Sequence, residues 1–357
     1  MRILVFRIGQ LGDSLIALPA LWALKENFPG ASMTLLCDVH PGAGFVGAAS
    51  VYEGTGLFDD IVSYPVEGGF QGAWKTLGLL RFLRQQRFDA LAYLAPSLRT
   101  QRQTLRDRWF FKTARIRKLI GFRGMPDYGS LQERPLPRLP HEADHLLHRL
   151  RSDGLDVPEP GRGRCDVNLT ASDQAKVDQW VAIQPTQTQR PWLGIGPGSK
   201  MSAKLWPTER YAAVVSELID DFGVWPVVFG GPEDTAVGEQ LIQGWRRGYN
   251  AAGSLGLRAS VAALGRCQVY LGNDTGTMHM AAASGTRCVA IFSSRDFPGK
   301  WDPYGNGHQI LRTAIHCEGC MLTSCVEQQN RCLREIRVET VVSRARDVLE
   351  QTLSREI

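Results

Sequence analysis

Residues 269–292 read VYLGNDTGTMHMAAASGTRCVAIF. Two apolar runs, 269–271 and 288–292, enclose a polar turn of Asn273, Asp274, Thr275 and Gly276 and then a helix of small residues. Apolar runs bounded by turn residues read as buried strands, so the stretch spells strand, turn, helix, strand, the rhythm of a parallel sheet. Thr275 or Asp274 is placed to cap the helix, whose first N–H groups face outward. Such helix starts bind anions, phosphates above all, and ligands of open α/β sheets sit at the C-terminal ends of strands. A nucleotide or sugar-phosphate site is expected here.

The same rhythm runs through the rest of the chain. Strands are expected at 3–8, 33–37, 61–64, 90–94 and 119–122, with a helix from about Ser14, and again at 192–195 and 226–229. The intervening 131–191 is rich in Pro, Gly and polar residues, with helices near 143–150 and 173–183, which marks a domain boundary. A length of 357 residues suits two domains. Residues 1–170 form the first, 171–190 a linker and 191–335 the second; 336–357, helical in periodicity, is expected to pack back on the first. The two halves open alike, RILVFRIGQLGDSLIALPALWAL at 2–24 and WLGIGPGSKMSAKLWPTERYAAVV at 192–215, in layout and not in residue-level repeat.

Composition excludes several classes. Hydrophobic residues at 43% and charged residues at 22% describe an ordinary globular chain, not a disordered one. The apolar segment 15–24 follows Asp13 and contains Pro19, which suits neither a secretory signal nor a membrane span, so a cytoplasmic enzyme without an anchor is expected. The net charge of +5 is mild, yet 99–123 holds nine Lys/Arg and one acid, with Trp109, Phe110 and Phe111 among them. That stretch reads either as a surface for an anionic acceptor or the inner membrane, or as a solvated helix face whose aromatics enter the core. No nucleic-acid module accompanies it.

The chemistry-bearing residues lie at strand ends. Gly9-Gln10-Leu11-Gly12-Asp13 lets backbone approach a ligand and brings a carboxylate to a helix start, where Asp13 is either a general base or a helix cap. Gly196-Pro197-Gly198-Ser199-Lys200 and Lys204-Leu205-Trp206-Pro207-Thr208 supply lysines that can neutralise a departing diphosphate. Glu233 and Asp234, beyond the 226–229 strand, can bond ribose hydroxyls or cap the next helix.

In this order, RIGQLGDSLIALPAL, GPGSKMSAKLWP, VVFGGPED, GNDTGTMHMAAASGTRCVAIF and the PYG of 303–305 resemble glycosyltransferase family 9, the ADP-heptose:lipopolysaccharide heptosyltransferases and relatives, over nearly the whole chain. The resemblance implies an α/β fold of the GT-B type, two Rossmann-like doubly wound domains facing across a cleft. The acceptor would lie on the first and the donor nucleotide on the second. It implies an inverting, metal-independent transfer with Asp13 as base and Lys204 on the diphosphate. Gly12, Ser199, Lys200, Glu233 or Asp234, Asp274, Thr275, Gly276 and His279 would serve donor binding. The implied donor is a nucleotide-diphosphate sugar, ADP-heptose favoured, and the acceptor a bacterial surface glycan or glycolipid. No DxD triplet occurs, in keeping with transfer that needs no cofactor. The loop SSRDFPGKW, 293–301, is longer than expected for inner-core heptosyltransferases and leaves the acceptor open.

Cys317, Cys320, Cys325 and Cys332 form a cluster opening on CxxC; in a reducing compartment it suits a structural Zn or Fe site or plain thiols. Two motifs mislead. HEADH at 141–145 matches HExxH but follows Pro140 in linker-like text, and KMSAK at 200–204 has the look of a synthetase loop without its HxGH partner. Alternative readings are a catalytically silent GT-B scaffold, a heptosyltransferase with a protein acceptor, and a nucleotide-sugar epimerase. Intact Asp13 and Lys204 speak against the first, the opening motif against the last.

Overall fold

The apolar runs pair side by side as two parallel sheets. The computed structural model of the chain describes residues 1–40, 46–65, 69–126, 134–186 and 188–354. It divides into two compact units, Met1–Ser130 with Pro140–Asn168, and Leu131–Leu139 with Leu169–Ile357.

In unit 1 the chain runs β1 (Arg2–Phe6), α1 (Leu11–Ile16), α2 (Leu18–Asn27), β2 (Ser32–Val39), α3 (Ala48–Tyr52), β3 (Asp60–Pro65), α4 (Gly69–Gln86), β4 (Ala90–Tyr93), α5 (Gln101–Thr113), β5 (Lys118–Ile120) and α6 (Glu142–Ser152). The described strands lie in the order β3-β2-β1-β4-β5, all parallel. Successive strands leave β1 in one direction and then β4 in the other, so the order reverses between β1 and β4. Parallel strands covered on both faces must be apolar throughout, and Ile3, Leu4, Val5 and Phe6 are buried without alternation. Phe6 stacks on Tyr93 with ring centroids 5.5 Å apart, beside Leu36, Leu91 and Phe111.

Unit 2 continues with α7 (Ala171–Ala182), β6 (Trp192–Gly196), α8 (Thr208–Phe222), β7 (Trp225–Val228), α9 (Thr235–Trp245), β8 (Tyr249–Asn250), α10 (Leu257–Leu264), β9 (Cys267–Asn273), α11 (Gly276–Ala283), β10 (Arg287–Phe292), β11 (Gln309–Arg312), α12 (Arg331–Arg334) and α13 (Val338–Leu353). Its described strands take the order β11-β10-β9-β6-β7-β8, again all parallel, with the reversal between β6 and β9.

The structure corrects two expectations and adds two strands. The C-terminal helix α13 belongs to unit 2: Val341, Val342, Ala345, Val348 and Leu349 form one apolar stripe buried in a core with Leu193, Val269, Val289 and Ile291. Most of the expected linker 171–190 is α7, which belongs to unit 2: it packs on α10 through Arg258, whose guanidinium pairs with Asp173 at 2.7 Å, and on β8 through Trp180, edge-on to Tyr249. Strands β8 and β11 had no expectation, since one has two residues and the other, QILR, is half exposed and carries no apolar run. The residues 131–133 that open the Pro- and Gly-rich stretch lie outside the described residues.

Candidate active site

In each unit candidate residues follow a strand that flanks the reversal, where helices leave to opposite faces and the strand ends stay uncovered; in unit 2 Glu233 and Asp234 follow β7, the next strand along.

In unit 1 that loop is 7–13. The helix starts three residues earlier than its apolar pattern suggests, so Asp13 is not the cap residue but sits one turn in. Its carboxylate reaches back to accept the Gln10 N–H at 3.1 Å while Gln10 occupies the cap position. Gly12 precedes it in the same turn. Beneath lies Arg7, fully buried, whose guanidinium donates to the Leu94 carbonyl at 2.7 Å and to the Asp13 carbonyl. The Tyr52 hydroxyl donates to the Ser14 carbonyl at 2.7 Å. Gly9 has φ +122°, and a side chain there would meet the Cβ of Asp13 at 2.6 Å, so the carboxylate occupies space that only glycine leaves open.

In unit 2 three adjacent strand ends, those of β9, β6 and β7, carry the remaining candidates. Lys204 ends a short 3₁₀ turn, Ser202–Lys204, and its Nζ lies 2.6 Å from Asp274 Oδ2; the two side chains are 15% and 5% exposed. Thr275 takes the cap position of α11 and Gly276 its first turn. The Thr275 hydroxyl does not cap: it bonds the Thr277 hydroxyl at 2.9 Å, which in turn bonds Tyr270 Oη at 2.7 Å. His279 is buried one turn further along.

The residue that fastens this edge is Asn273, completely buried. Its amide donates to the Pro197 carbonyl at 2.7 Å, and its oxygen accepts the Trp206 N–H at 3.1 Å and the Tyr211 hydroxyl at 2.9 Å. The loop after β6 is thus bolted at both ends to the end of β9. Ser199 shapes the loop by accepting the Met201 N–H at 3.1 Å, and Lys200 is exposed beside it. Asp234 lies over the same loop, its carboxylate occupying the space a side chain at Gly198 or Gly230 would take, and it accepts the Gly231 N–H at 3.0 Å. Burial raises its pKa above the usual carboxylate range, with Lys200 opposing. Glu233 is exposed on the outer side of the turn.

Sequence reasoning missed four contributors. Asn273 was visible only as a turn residue and Thr277 only as part of the helix of small residues. Tyr270 needs Gly196 and Gly272 to clear its hydroxyl, and glycines at the ends of two neighbouring strands were the available signal. Asp296, in the loop after β10, has its pKa raised by burial, with Asp274 adding to the rise and Lys204 opposing it.

The four clustered cysteines line one cavity of about 10 Å3 with Ala203, Ser293 and Ser294. Burial and the thiols of Cys320, Cys332 and Cys325 push the Cys317 thiol up. Among the described residues no group of three or more His, Cys, Asp or Glu side chains is arranged to hold a metal ion, so the expected Zn or Fe site gains no support from this arrangement. The Glu142 carboxylate of HEADH is fully buried and accepts from the Ser97 N–H at 2.7 Å. No described helix is long and apolar enough to cross a membrane.

Comparison with known proteins places these features. The family profile described as glycosyltransferase family 9 (heptosyltransferase) matches residues 78–330. Lipopolysaccharide heptosyltransferase 2 of Escherichia coli K12 is 36% identical over 375 aligned positions, covering 98% of this chain and 99% of that protein. Among solved structures, a family 9 glycosyltransferase from Veillonella parvula superposes with a TM-score of 0.73 at 22% identity, over 98% of this chain and 97% of that one. The E. coli heptosyltransferase WaaC with ADP gives 0.65 at 16%, over 98% and 100%. The two parallel-sheet units are therefore those of a GT-B enzyme, and the chain belongs to glycosyltransferase family 9.

Proposed function

We propose that this enzyme transfers heptose from ADP-heptose to a hydroxyl of a lipopolysaccharide-type glycolipid, with inversion and without a divalent cation. The observation that carries the reading is the Lys204–Asp274 pair at the start of α11. An ammonium group has three donors, and the pair with Asp274 takes one while fixing Nζ beside the N–H groups of the helix start. Charge growing on a departing ADP would be met there by lysine and helix dipole together, which is the task a metal has elsewhere. The relative of 36% identity is a lipopolysaccharide heptosyltransferase, and WaaC was solved with ADP; both support this donor and acceptor class.

On the acceptor side Asp13 takes the proton from the attacking hydroxyl as its oxygen bonds the anomeric carbon and ADP leaves from the opposite face. A single displacement inverts the centre. The capping-box hold on Asp13 and the space left by Gly9 keep the carboxylate in one orientation, as a base requires before its pKa matters. Asp234 or Glu233 would hold the ribose.

The test is Asp13→Asn. Calorimetry with ADP should give wild-type affinity, while transfer falls by about 10²–10⁴-fold. Wild-type transfer with normal ADP binding would remove Asp13 from the mechanism.

A further inference from the structure

The basic, aromatic stretch at 99–123 splits in the structure. Thr100 caps α5, accepting the Gln103 N–H, and the helix turns Asp107 and Phe111 into unit 1. Asp107, the stretch's one acid, is taken up inside: it accepts from Tyr93 at 2.8 Å and pairs with Arg99 and Arg106. At 3.6 residues per turn, Leu105 and Trp109 fall within about 20° of the direction opposite Asp107. They are 54% and 67% exposed, the largest outward apolar pair on the helix. Arg102 and Lys112 flank them on the same outer face, Arg108 borders it, and the Lys112 ammonium sits 5.8 Å from the Trp109 ring centre.

A solvated face has no use for an outward tryptophan and leucine one turn apart. A protein-binding face would rarely ring them with cations alone. Both are what an interfacial helix carries: an indole to sit at headgroup level, an aliphatic side chain to enter the acyl boundary and cations to meet anionic lipid. We infer that the outer face of α5 docks the enzyme on an anionic phospholipid bilayer, with Trp109 and Leu105 inserted and Arg102, Arg108 and Lys112 on lipid phosphates. This goes beyond the transfer reading and stands without it, since it concerns where the chain sits and not which sugar it moves.

The full-length protein is sedimented with vesicles of phosphatidylcholine alone or mixed with phosphatidylglycerol, with neither donor nor acceptor present. Binding is expected only to the anionic vesicles and weakens as salt rises. Arg102→Ala with Arg108→Ala lowers the partition coefficient about 25-fold, at about fivefold per cation. Trp109→Ser lowers it about tenfold. Because all three side chains are exposed, thermal unfolding of the variants stays as in wild type, and ADP affinity is unchanged. Equal binding to neutral vesicles, no binding to either, or undiminished binding of the variants overturns the inference. So does capture of a soluble anion, inorganic phosphate being the probe, that shows the same variant dependence while vesicles are ignored.

Discussion

Replacing Asn273 with alanine should loosen the loop after β6 and lower the stability of unit 2. The side chain is fully buried and serves three partners from two segments: the Pro197 carbonyl, the Trp206 N–H and the Tyr211 hydroxyl. Each buried group left without a partner costs about 1–3 kcal/mol. Three orphaned groups set an upper range of about 9 kcal/mol; water entering the vacated volume holds the loss near the lower end, about 3 kcal/mol. That is a large part of the stability of a domain, about 5–15 kcal/mol in all. The loss is not spread evenly, because Pro197 begins the loop that carries Ser199 and Lys200 while Trp206 follows Lys204 by two residues. ADP affinity should therefore fall at least about tenfold. Asn273→Asp does not rescue: a carboxylate can still accept from Trp206 and Tyr211, but it cannot donate to Pro197 and brings charge into a dry interior. Denaturant unfolding, followed with and without ADP so that the transition of the proposed nucleotide-binding unit is recognised, gives the stability change, and calorimetry gives the affinity. A loss under about 1 kcal/mol with ADP affinity within about twofold of wild type would refute the argument.

Other expectations concern residues of different kinds. Gly9→Ala forces a side chain into a positive-φ site against Asp13, so transfer should drop by about 10²-fold or more while ADP binding is kept; an active Gly9→Ala enzyme counts against the placement of the base. Gly198→Ala meets the Asp234 carboxylate, and ADP affinity measured by calorimetry should fall while the melting profile of unit 1 stays unchanged. Arg258→Ala removes the charge partner of the buried Asp173 carboxylate, which keeps only its bonds from the Thr170 N–H and hydroxyl, and should cost about 3 kcal/mol in chemical denaturation. Arg258 foremost holds the Asp173 carboxyl well below the usual range. A depressed pKa stabilises fully above the unfolded value, about 4, and the contribution is lost as pH falls through the folded value. Wild type should thus lose stability on acidification below about pH 4 more steeply than Arg258→Ala, and parallel profiles would refute the assignment.

The βαβ rhythm was legible because a parallel sheet buries both faces of its strands. Runs such as ILVF at 3–6 and CVAIF at 288–292 then stand out without alternation. Strand β11 was not, because at a sheet edge it is half exposed and QILR carries no run to see. The end of the chain misled for a related reason. Periodicity shows that 338–353 has an apolar stripe but not which sheet receives it, and the core of unit 2 does. At the candidate site, charged residues announced themselves through Gly-rich turns. The residues that hold them did not: Asn273 bonds Pro197 and Trp206 across about 70 residues of sequence, a link no local pattern contains. Basic density at 99–123 left two readings open, and the structure divides them by residue, with Phe111 inward and Trp109 outward.

The location of the candidate chemistry follows from topology. A doubly wound sheet has one place where neighbouring strands send their helices to opposite faces, and there the strand ends stay uncovered. Unit 1 has that place between β1 and β4, and Asp13 follows β1. Unit 2 has it between β6 and β9, and Lys204 and Asp274 follow those two strands. Each unit thus presents polar residues at its own reversal, and the proposed base and the proposed diphosphate-binding groups are carried by separate cores. Perturbations should separate accordingly. Changes that act through the core of unit 1, such as Gly9→Ala, should lower transfer at constant ADP affinity. Changes through unit 2, such as Asn273→Ala, should lower ADP affinity and stability together. The free-energy effects on ADP binding of one change from each set should add within about 0.5 kcal/mol. Coupling well beyond that would mean that the base side contributes to holding the nucleotide, and the division of labour between the units would have to be redrawn.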